Sequence, residues 1–210
     1  MSKKLIIACD GAAASGKSTG AKLIAKKYGL LLFNSGLYYR YASYLILKNK
    51  PRNVVTFLKK NLTLLSYRHI SKLNIYSQDI NKHVAIIAQK KSVRKIIDDL
   101  QRDIIKNNNR ICIEGRDIAS KILNKNPRYD VAFYFRCNLN VASFRRWIDF
   151  KKKFSLNEVK RSLRFRTKLD KNRVHSPLIR VSDSVLIQSD KLSKSQMLNK
   201  MIKVVDKKIL

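Results

Sequence analysis

Cysteine is scarce: Cys9, Cys112 and Cys137 are the three in a chain of 210 residues. An odd count without metal-ligand spacing excludes a disulfide framework and fits buried thiols in a reducing compartment. Proline (3) and glycine (6) are too few for a flexible linker. No internal repeat divides the chain, so residues 1–210 are expected to form one domain. Long apolar runs are missing as well. The first run, Leu5–Cys9, is too short for a secretory leader and meets glycine, not a cleavage site. Nothing approaches the roughly 20 apolar residues of a membrane helix. These absences predict a cytoplasmic protein with no membrane partner.

Acidic residues are few: 14 Asp and Glu against 46 Lys and Arg, a formal net charge of +32. So basic a balance suits polyanionic partners, whether nucleic acid or phosphorylated small molecules. It also suits a lysine-rich composition covering a solvated surface. The lysines are spread along the chain and form no basic tail, so charge alone assigns no function. No helix-turn-helix, zinc-finger or aromatic RNA-binding signature is present, and no specific nucleic-acid partner is expected.

Five short runs rich in Val, Ile, Leu and Phe read as strands: Leu5–Cys9, Leu30–Phe33, Ile111–Ile113, Val131–Phe135 and Val185–Ile187. Most are apolar at consecutive positions, the pattern of strands covered on both faces in a parallel sheet. Helices are expected over 17–28, 36–49, about 84 to 107, and about 156 to 167, with a last one opening at Ser193. Ser155-Leu-Asn-Glu158 and Ser193-Lys-Ser-Gln196 read as capping boxes for the last two. Alternation of strands and helices predicts an α/β fold, a doubly wound five-stranded parallel sheet with flanking helices. Residues 50–82 fit that alternation less well. Val54–Leu65 looks helical and Lys72–Ser77 strand-like, so an insertion beside the sheet is expected at about 50–82. A short lid is expected at about 145–155, with Lys151-Lys-Lys153 at its tip.

Gly11-Ala-Ala-Ala-Ser-Gly16-Lys17-Ser18 matches G-x-x-x-x-G-K-[ST] and lies between a predicted strand and a predicted helix, the context such a loop requires. The glycines let successive N–H groups turn inward, and these with the helix N-terminus make an anion cradle. Lys17 can reach the β- and γ-phosphates of a nucleoside triphosphate, and the Ser18 hydroxyl is placed for Mg²⁺. No apolar strand ending in Asp-Glu accompanies the loop, which argues against a motor ATPase. No guanine-selecting motif is present, which argues against a GTPase.

Three further groups follow. Asn34-Ser-Gly-Leu-Tyr-Tyr-Arg40 comes after the second predicted strand, and Arg40 can fork onto a phosphate. Glu114-Gly-Arg116-Asp117 ends the third, offering a bidentate donor and a directed acceptor. Arg166-Thr-Lys-Leu-Asp170-Lys-Asn-Arg173, then Pro177-Leu178, follows the expected lid. An Arg–Asp pair at that spacing is often only a solvated helix ion pair.

Together with Val84-Ala-Ile-Ile-Ala88, Val93-Arg94 and Gln101-Arg102, these groups resemble the bacterial cytidylate kinases, of the adenylate-kinase-like P-loop kinases, in order and spacing over nearly the whole chain. The resemblance implies transfer of the γ-phosphoryl group of ATP to CMP, with dCMP as a second acceptor, by a monomer. It implies that Gly11, Ala12, Ala13, Ala14, Ser15, Gly16, Lys17, Ser18 and Thr19 bind ATP, with Ser18 on Mg²⁺. It assigns Ser35, Arg40, Arg94, Arg116, Asp117, Arg166, Asp170 and Arg173 to the nucleoside monophosphate. Within that set Arg40 would touch the phosphate, Arg94 and Asp117 the cytosine edge, and Asp170 with Arg166 the ribose. Lys17, Arg116, Arg173, and Arg145 or Arg146 near the lid would neutralise charge during transfer. The chain departs from the family pattern at Asn34, Glu114 and Thr167, each in place of Asp. At Ala85 the family carries a serine that contacts the base. The acceptors left open by the phosphate loop itself are UMP, AMP and dephospho-coenzyme A. A nucleic-acid-binding P-loop protein is the alternative from another class.

Overall fold

The first apolar run forms strand β1 (Leu5–Gly11), buried along its whole length. In chain order there follow α1 (Lys17–Tyr28), β2 (Leu31–Asn34), α2 (Gly36–Asn49), α3 (Val54–Asn61), α4 (Tyr67–Ile70), α5 (Gln78–Ile87), α6 (Lys91–Lys106), β3 (Arg110–Gly115), a π-helical turn (Ile118–Ile122), β4 (Val131–Arg136), α7 (Leu139–Asp149), α8 (Leu156–Asn172), β5 (Val185–Gln188) and α9 (Lys194–Ile209). The computed structural model describes residues 3–64 and 66–209. Two compact units emerge, Met1–Asn34 with Asn108–Leu210, and Ser35–Asn107.

The first unit holds a five-stranded sheet in the order β2-β3-β1-β4-β5, with every neighbouring pair parallel. The expected α/β fold with a doubly wound parallel sheet is therefore present. Because the strands are parallel, the segments leaving β1, β3 and β4 emerge on one edge of the sheet. Their registers place Cys9 beside Glu114 and Asp10 beside both Gly115 and Tyr134. Ligands of such sheets bind at that edge, where the strand order reverses. One face is covered by α1 and α9: Ile24, Phe133, Phe135, Met201 and Val205 are buried in a single apolar cluster with β1. Gly20 is needed there, since a Cβ would lie 2.5 Å from the Phe135 ring. Cys9 and Cys112 are buried free thiols on adjacent strands, Sγ atoms 3.9 Å apart, and Cys137 is a half-buried free thiol.

Two capping boxes form. Ser155 Oγ accepts from the Glu158 amide while the Glu158 carboxylate accepts from Ser155 N–H, and Ser193 and Gln196 exchange the same pair of bonds. The helix behind the first runs further than expected, to Asn172, so Asp170 lies on α8 with Arg166 and not beyond it. Leu163 and Asp170 share its buried side, seven residues or about two helical turns apart.

The second unit is helical. Its α2 packs on α4 and α5, and α3 on α6. The continuous helix expected from about 84 to 107 is two helices, broken at 88–90. Burial explains the break. Val84, Ile87 and Ala88 are buried before it, and Val93, Ile97 and Ile105 after it. An unbroken helix in phase with the first set would carry Lys91 and Lys95 inward, so the chain re-phases its apolar stripe. The segment Lys72–Ser77 forms no strand. It is a turn and an extended stretch ending at Ser77, whose Oγ caps α5 by accepting from Ile80 N–H. Helix α3 stops at Asn61, short of the expected Leu65, which lies outside the described residues.

Candidate active site

The phosphate loop joins β1 to α1. Gly16 has φ of +83°, in the left-handed region that favours glycine, and a Cβ on it would lie 2.9 Å from the Ser189 side chain. No side chain caps α1 and no acid lies in its first turn, so its first N–H groups face the loop as anion donors. Lys17 opens the helix and is buried, its Nζ 3.5 Å from Glu114 Oε2. Ser18 Oγ donates to that same oxygen at 2.5 Å. Burial, then the neighbouring Arg116 charge, pushes the Lys17 ammonium down to about 8, against the pull of Glu114. The buried Ser15 hydroxyl, within the loop, has no hydrogen-bond partner.

Past β3, four charged side chains form one network. Arg116 Nε donates to Asp170 Oδ2 at 2.9 Å. Arg173 lies 3.8 Å from Asp170 Oδ1 and 3.6 Å from Asp117 Oδ1, and its Nε donates to the Ser176 carbonyl at 2.7 Å. Burial raises the Asp170 carboxyl, but Arg116, Arg166 and Arg173 outweigh it and hold the group below the usual carboxylate range. A bond from Leu178 N–H to the Asp170 carbonyl, 2.7 Å, folds the Pro177-Leu178 segment back on α8. Asp10 steadies the turn that carries Arg116 and Asp117. Its two carboxylate oxygens accept from Ile118 N–H at 2.9 Å and Ala119 N–H at 2.8 Å. Burial lifts Asp10 to about 6 even though the two amides lower it.

Helices α7 and α8 pack on each other, and around them Ala142, Val159 and Leu163 gather Trp147, Phe150, Phe154 and the loop residues Ala13 and Ala14. The link at 150–155 makes a tight turn, with Lys151 and Lys152 at φ of 52° and 59°. Arg145 donates to Ser189 Oγ and to the Ser189 carbonyl at 3.2 and 3.0 Å, which ties α7 to the serine beside Gly16. Arg146 turns elsewhere, to Asp149 at 3.8 Å and over the Phe150 ring. The structure thus joins Lys17 and Ser18 at Glu114, and Arg116, Asp117, Asp170 and Arg173 in the network. It leaves Arg146 outside both groups.

Arg166 lies on α8 of the first unit, and three expected residues belong to the second. Ser35 is buried at the start of α2. Arg40 donates to Asn81 Oδ1 at 2.6 Å and lies over the Tyr76 ring. Arg94 is buried on α6, donates to the Ala88 carbonyl at 3.3 Å and lies 5.6 Å from the Tyr39 ring centre.

The two side chains at the expected metal position, Ser18 and Glu114, offer oxygen donors. Ser18 Oγ and the Glu114 carboxylate are hard donors of the type Mg²⁺ takes alongside substrate phosphates. Among the described residues no group of three His, Cys, Asp or Glu side chains forms a self-sufficient metal cage.

A loop of this kind beside a two-arginine carboxylate network suits phosphoryl transfer from a nucleoside triphosphate, and comparison with known proteins decides the acceptor. The family model described as cytidylate kinase matches residues 7–207. The chain belongs to the cytidylate kinase family. It is accordingly an ATP-dependent kinase that phosphorylates CMP. Relatives include the cytidylate kinase of Listeria monocytogenes serovar 1/2a, 28% identical over 226 residues and covering 100% of this chain and 99% of that protein. Those of Phytoplasma mali and Rickettsia akari are each 30% identical, over 87% and 99% of this chain and 86% and 94% of theirs. Solved structures share the fold at low identity. TT1252 from Thermus thermophilus has a TM-score of 0.57 at 15% identity, covering 100% of both chains. Shikimate kinase from Acinetobacter baumannii has a TM-score of 0.50 at 11% identity, covering 97% of this chain and 93% of that one.

Several residues of the site carry little signal in the sequence. Glu114 was legible only as a departure from a family Asp, not as the shared partner of Lys17 and Ser18. Asp10 carries a signal, a lone carboxylate at the end of an apolar strand, but its partners are 108 and 109 residues away. Ser189 has none, being a serine in a polar segment after β5. No helix among the described residues is long and apolar enough to cross a membrane.

Proposed function

We propose that Gly11–Thr19 hold the triphosphate of ATP, with Lys17 reaching its outer phosphates and Ser18 and Glu114 taking the Mg²⁺. The cation would supply charge neutralisation on the transferring group. Arg116, Arg173 and Asp170, joined by Asp117 and Arg166, receive the nucleoside monophosphate, with Arg116 and Arg173 carrying transition-state charge. In the second unit Ser35, Arg40 and Arg94 complete the acceptor's binding set. Arg145 acts on the phosphate loop through Ser189. We extend the acceptor range to dCMP, and read the chain as a cytoplasmic monomer in which about 50–82 is an insertion and about 145–155 a short lid.

The observation that carries this reading is the Arg116–Asp170–Arg173 network. A carboxylate that holds two guanidinium groups in place fixes their positive charge where an anionic phosphate would bind. The acceptor phosphate is already anionic and nucleophilic, so transfer needs placement and charge neutralisation more than a strong base. Lys17 starts the cycle on Glu114 and is drawn to phosphate when ATP enters.

The test is ADP production with CMP, dCMP, UMP and AMP offered separately, for the wild type and for Lys17→Ala and Arg116→Ala. Turnover is expected with CMP and dCMP, and a collapse in both folded variants. Near-wild-type rates in a folded Lys17→Ala protein would overturn the assignment. Equal turnover of UMP and CMP would overturn the proposed selectivity.

A further inference from the structure

Helix α8 turns its catalytic side inward with Val159, Leu163 and Asp170 buried. Its opposite side uses the residues left over by that choice. At 3.6 residues per turn, Asn157, Arg161, Arg164, Phe165, Lys168, Lys171 and Asn172 share the outward half. All seven are exposed. Arg161 and Lys168 sit one turn before and after Phe165, a residue 63% exposed. Of the two acids of the helix, only Glu158, at its N-terminal end, comes near this face. Asp170 is buried in the arginine network, and Glu158 is committed to the capping box, though near enough to Arg161 to feel its charge. From Arg161 to Lys171 the stripe runs about 15 Å along the axis.

We infer that this face of α8 is a binding surface for single-stranded nucleic acid. Four cations in line along one helix face match a phosphodiester backbone, and neutralising several phosphates together releases counterions. The lone aromatic decides between polyanions. A base freed from pairing stacks on an exposed ring, whereas duplex bases are hidden in their own stack. An anionic membrane suits the face less well, because a helix that lies in a lipid interface needs a continuous apolar side. This one offers a single Phe among four cations and two Asn. The lysine-bearing helix α9 shares the charge, with exposed Lys200, Lys203 and Lys207. It carries no exposed ring, which makes it the natural control.

The experiment is fluorescence anisotropy of a labelled uridine oligonucleotide with the full chain at several salt concentrations. Micromolar binding is expected at physiological salt, with a slope of log K on log salt of about −3 for four contacted phosphates. Arg161→Gln/Arg164→Gln/Lys168→Gln should flatten that slope to about −1, and Phe165→Ala should weaken single-strand binding about tenfold while sparing a duplex of the same length. The charge-matched Lys200→Gln/Lys203→Gln/Lys207→Gln variant should change binding less than twofold. CMP phosphorylation should persist in all variants, which reports that they are folded. Photocrosslinking of an iodouridine oligonucleotide to the wild-type chain should label the peptide bearing Phe165, and needs no variant. Equal losses from the α8 and α9 triple variants would overturn the proposal in favour of diffuse charge. So would crosslinks away from α8, or vesicles of anionic lipid that bind more tightly than the oligonucleotide and depend on Phe165.

Discussion

Lys17 lies 3.5 Å from Glu114, and the carboxylate oxygen that holds this lysine also accepts the Ser18 hydroxyl. Two residues of the phosphate loop are therefore held by one acid from the neighbouring strand before any nucleotide arrives. The ammonium is poised near 8 because burial and Arg116 disfavour its charge while Glu114 favours it. A polyphosphate would pull the pKa upward. Binding of ATP above about pH 8 should accordingly take up a proton, and its Kd should rise about tenfold per pH unit there. Titration calorimetry in two buffers of different ionisation enthalpy measures the uptake. Lys17→Arg, which does not titrate in this range, should abolish it.

Asp10 and Asp170 should respond to acid in opposite senses. Asp10 takes its proton at about 6 in the folded chain and near its ordinary 3.8 when unfolded. The folded state therefore binds more protons between those values, and Asp10 favours folding as pH falls through that window. Relative to Asp10→Asn, the wild type should gain about 1–3 kcal/mol between pH 8 and pH 4. Thermal melts of the pair across pH measure it. A constant difference would mean that the buried carboxyl does not titrate in the window.

Asp170 is held below its usual range by three arginines. Its contribution is present above the ordinary carboxylate pKa and is lost as pH falls through the lower folded value. Asp170→Asn should cost about 2 kcal/mol at pH 7 and almost nothing in strong acid. It should also raise KM for CMP more than KM for ATP. Equal rises in both constants would count against its place on the acceptor side.

Gly20 allows a close approach that has nothing to do with nucleotide. A Cβ there would meet the Phe135 ring at 2.5 Å. Gly20→Ala should destabilise by about 1–3 kcal/mol through core strain. At a temperature where the variant is folded, KM for ATP should stay within twofold of wild type. Gly16→Ala should do the reverse, impairing ATP binding first, because its φ of +83° shapes the loop.

The strands and the phosphate loop were legible because their physics is local. A strand buried on both faces must be apolar along its length, as Leu5–Cys9 is. A loop that turns its amides inward needs glycine at chosen positions. Caps are local too, and Ser155 and Ser193 both act as their spacing implies. The helix over 84 to 107 failed because its break lies in a shift of buried phase, and phase is set by what each half packs against. Lys72–Ser77 failed because strand propensity needs a partner strand, and the sheet has five others.

By itself the amino-acid sequence determined the parallel α/β sheet, the anion-binding loop and the identity of most charged residues around it, since these follow from periodicity and from residue chemistry at short range. Tertiary structure alone decided how those charges are paired. It set Arg116 on Asp170 across 54 residues, Lys17 on Glu114, and Asp10 under the Ile118 turn across 108. It also turned Arg145 to Ser189. A guanidinium will take whichever acceptor the fold brings within about 3 Å, and that choice is made by the packing of helices and strands distant in the chain.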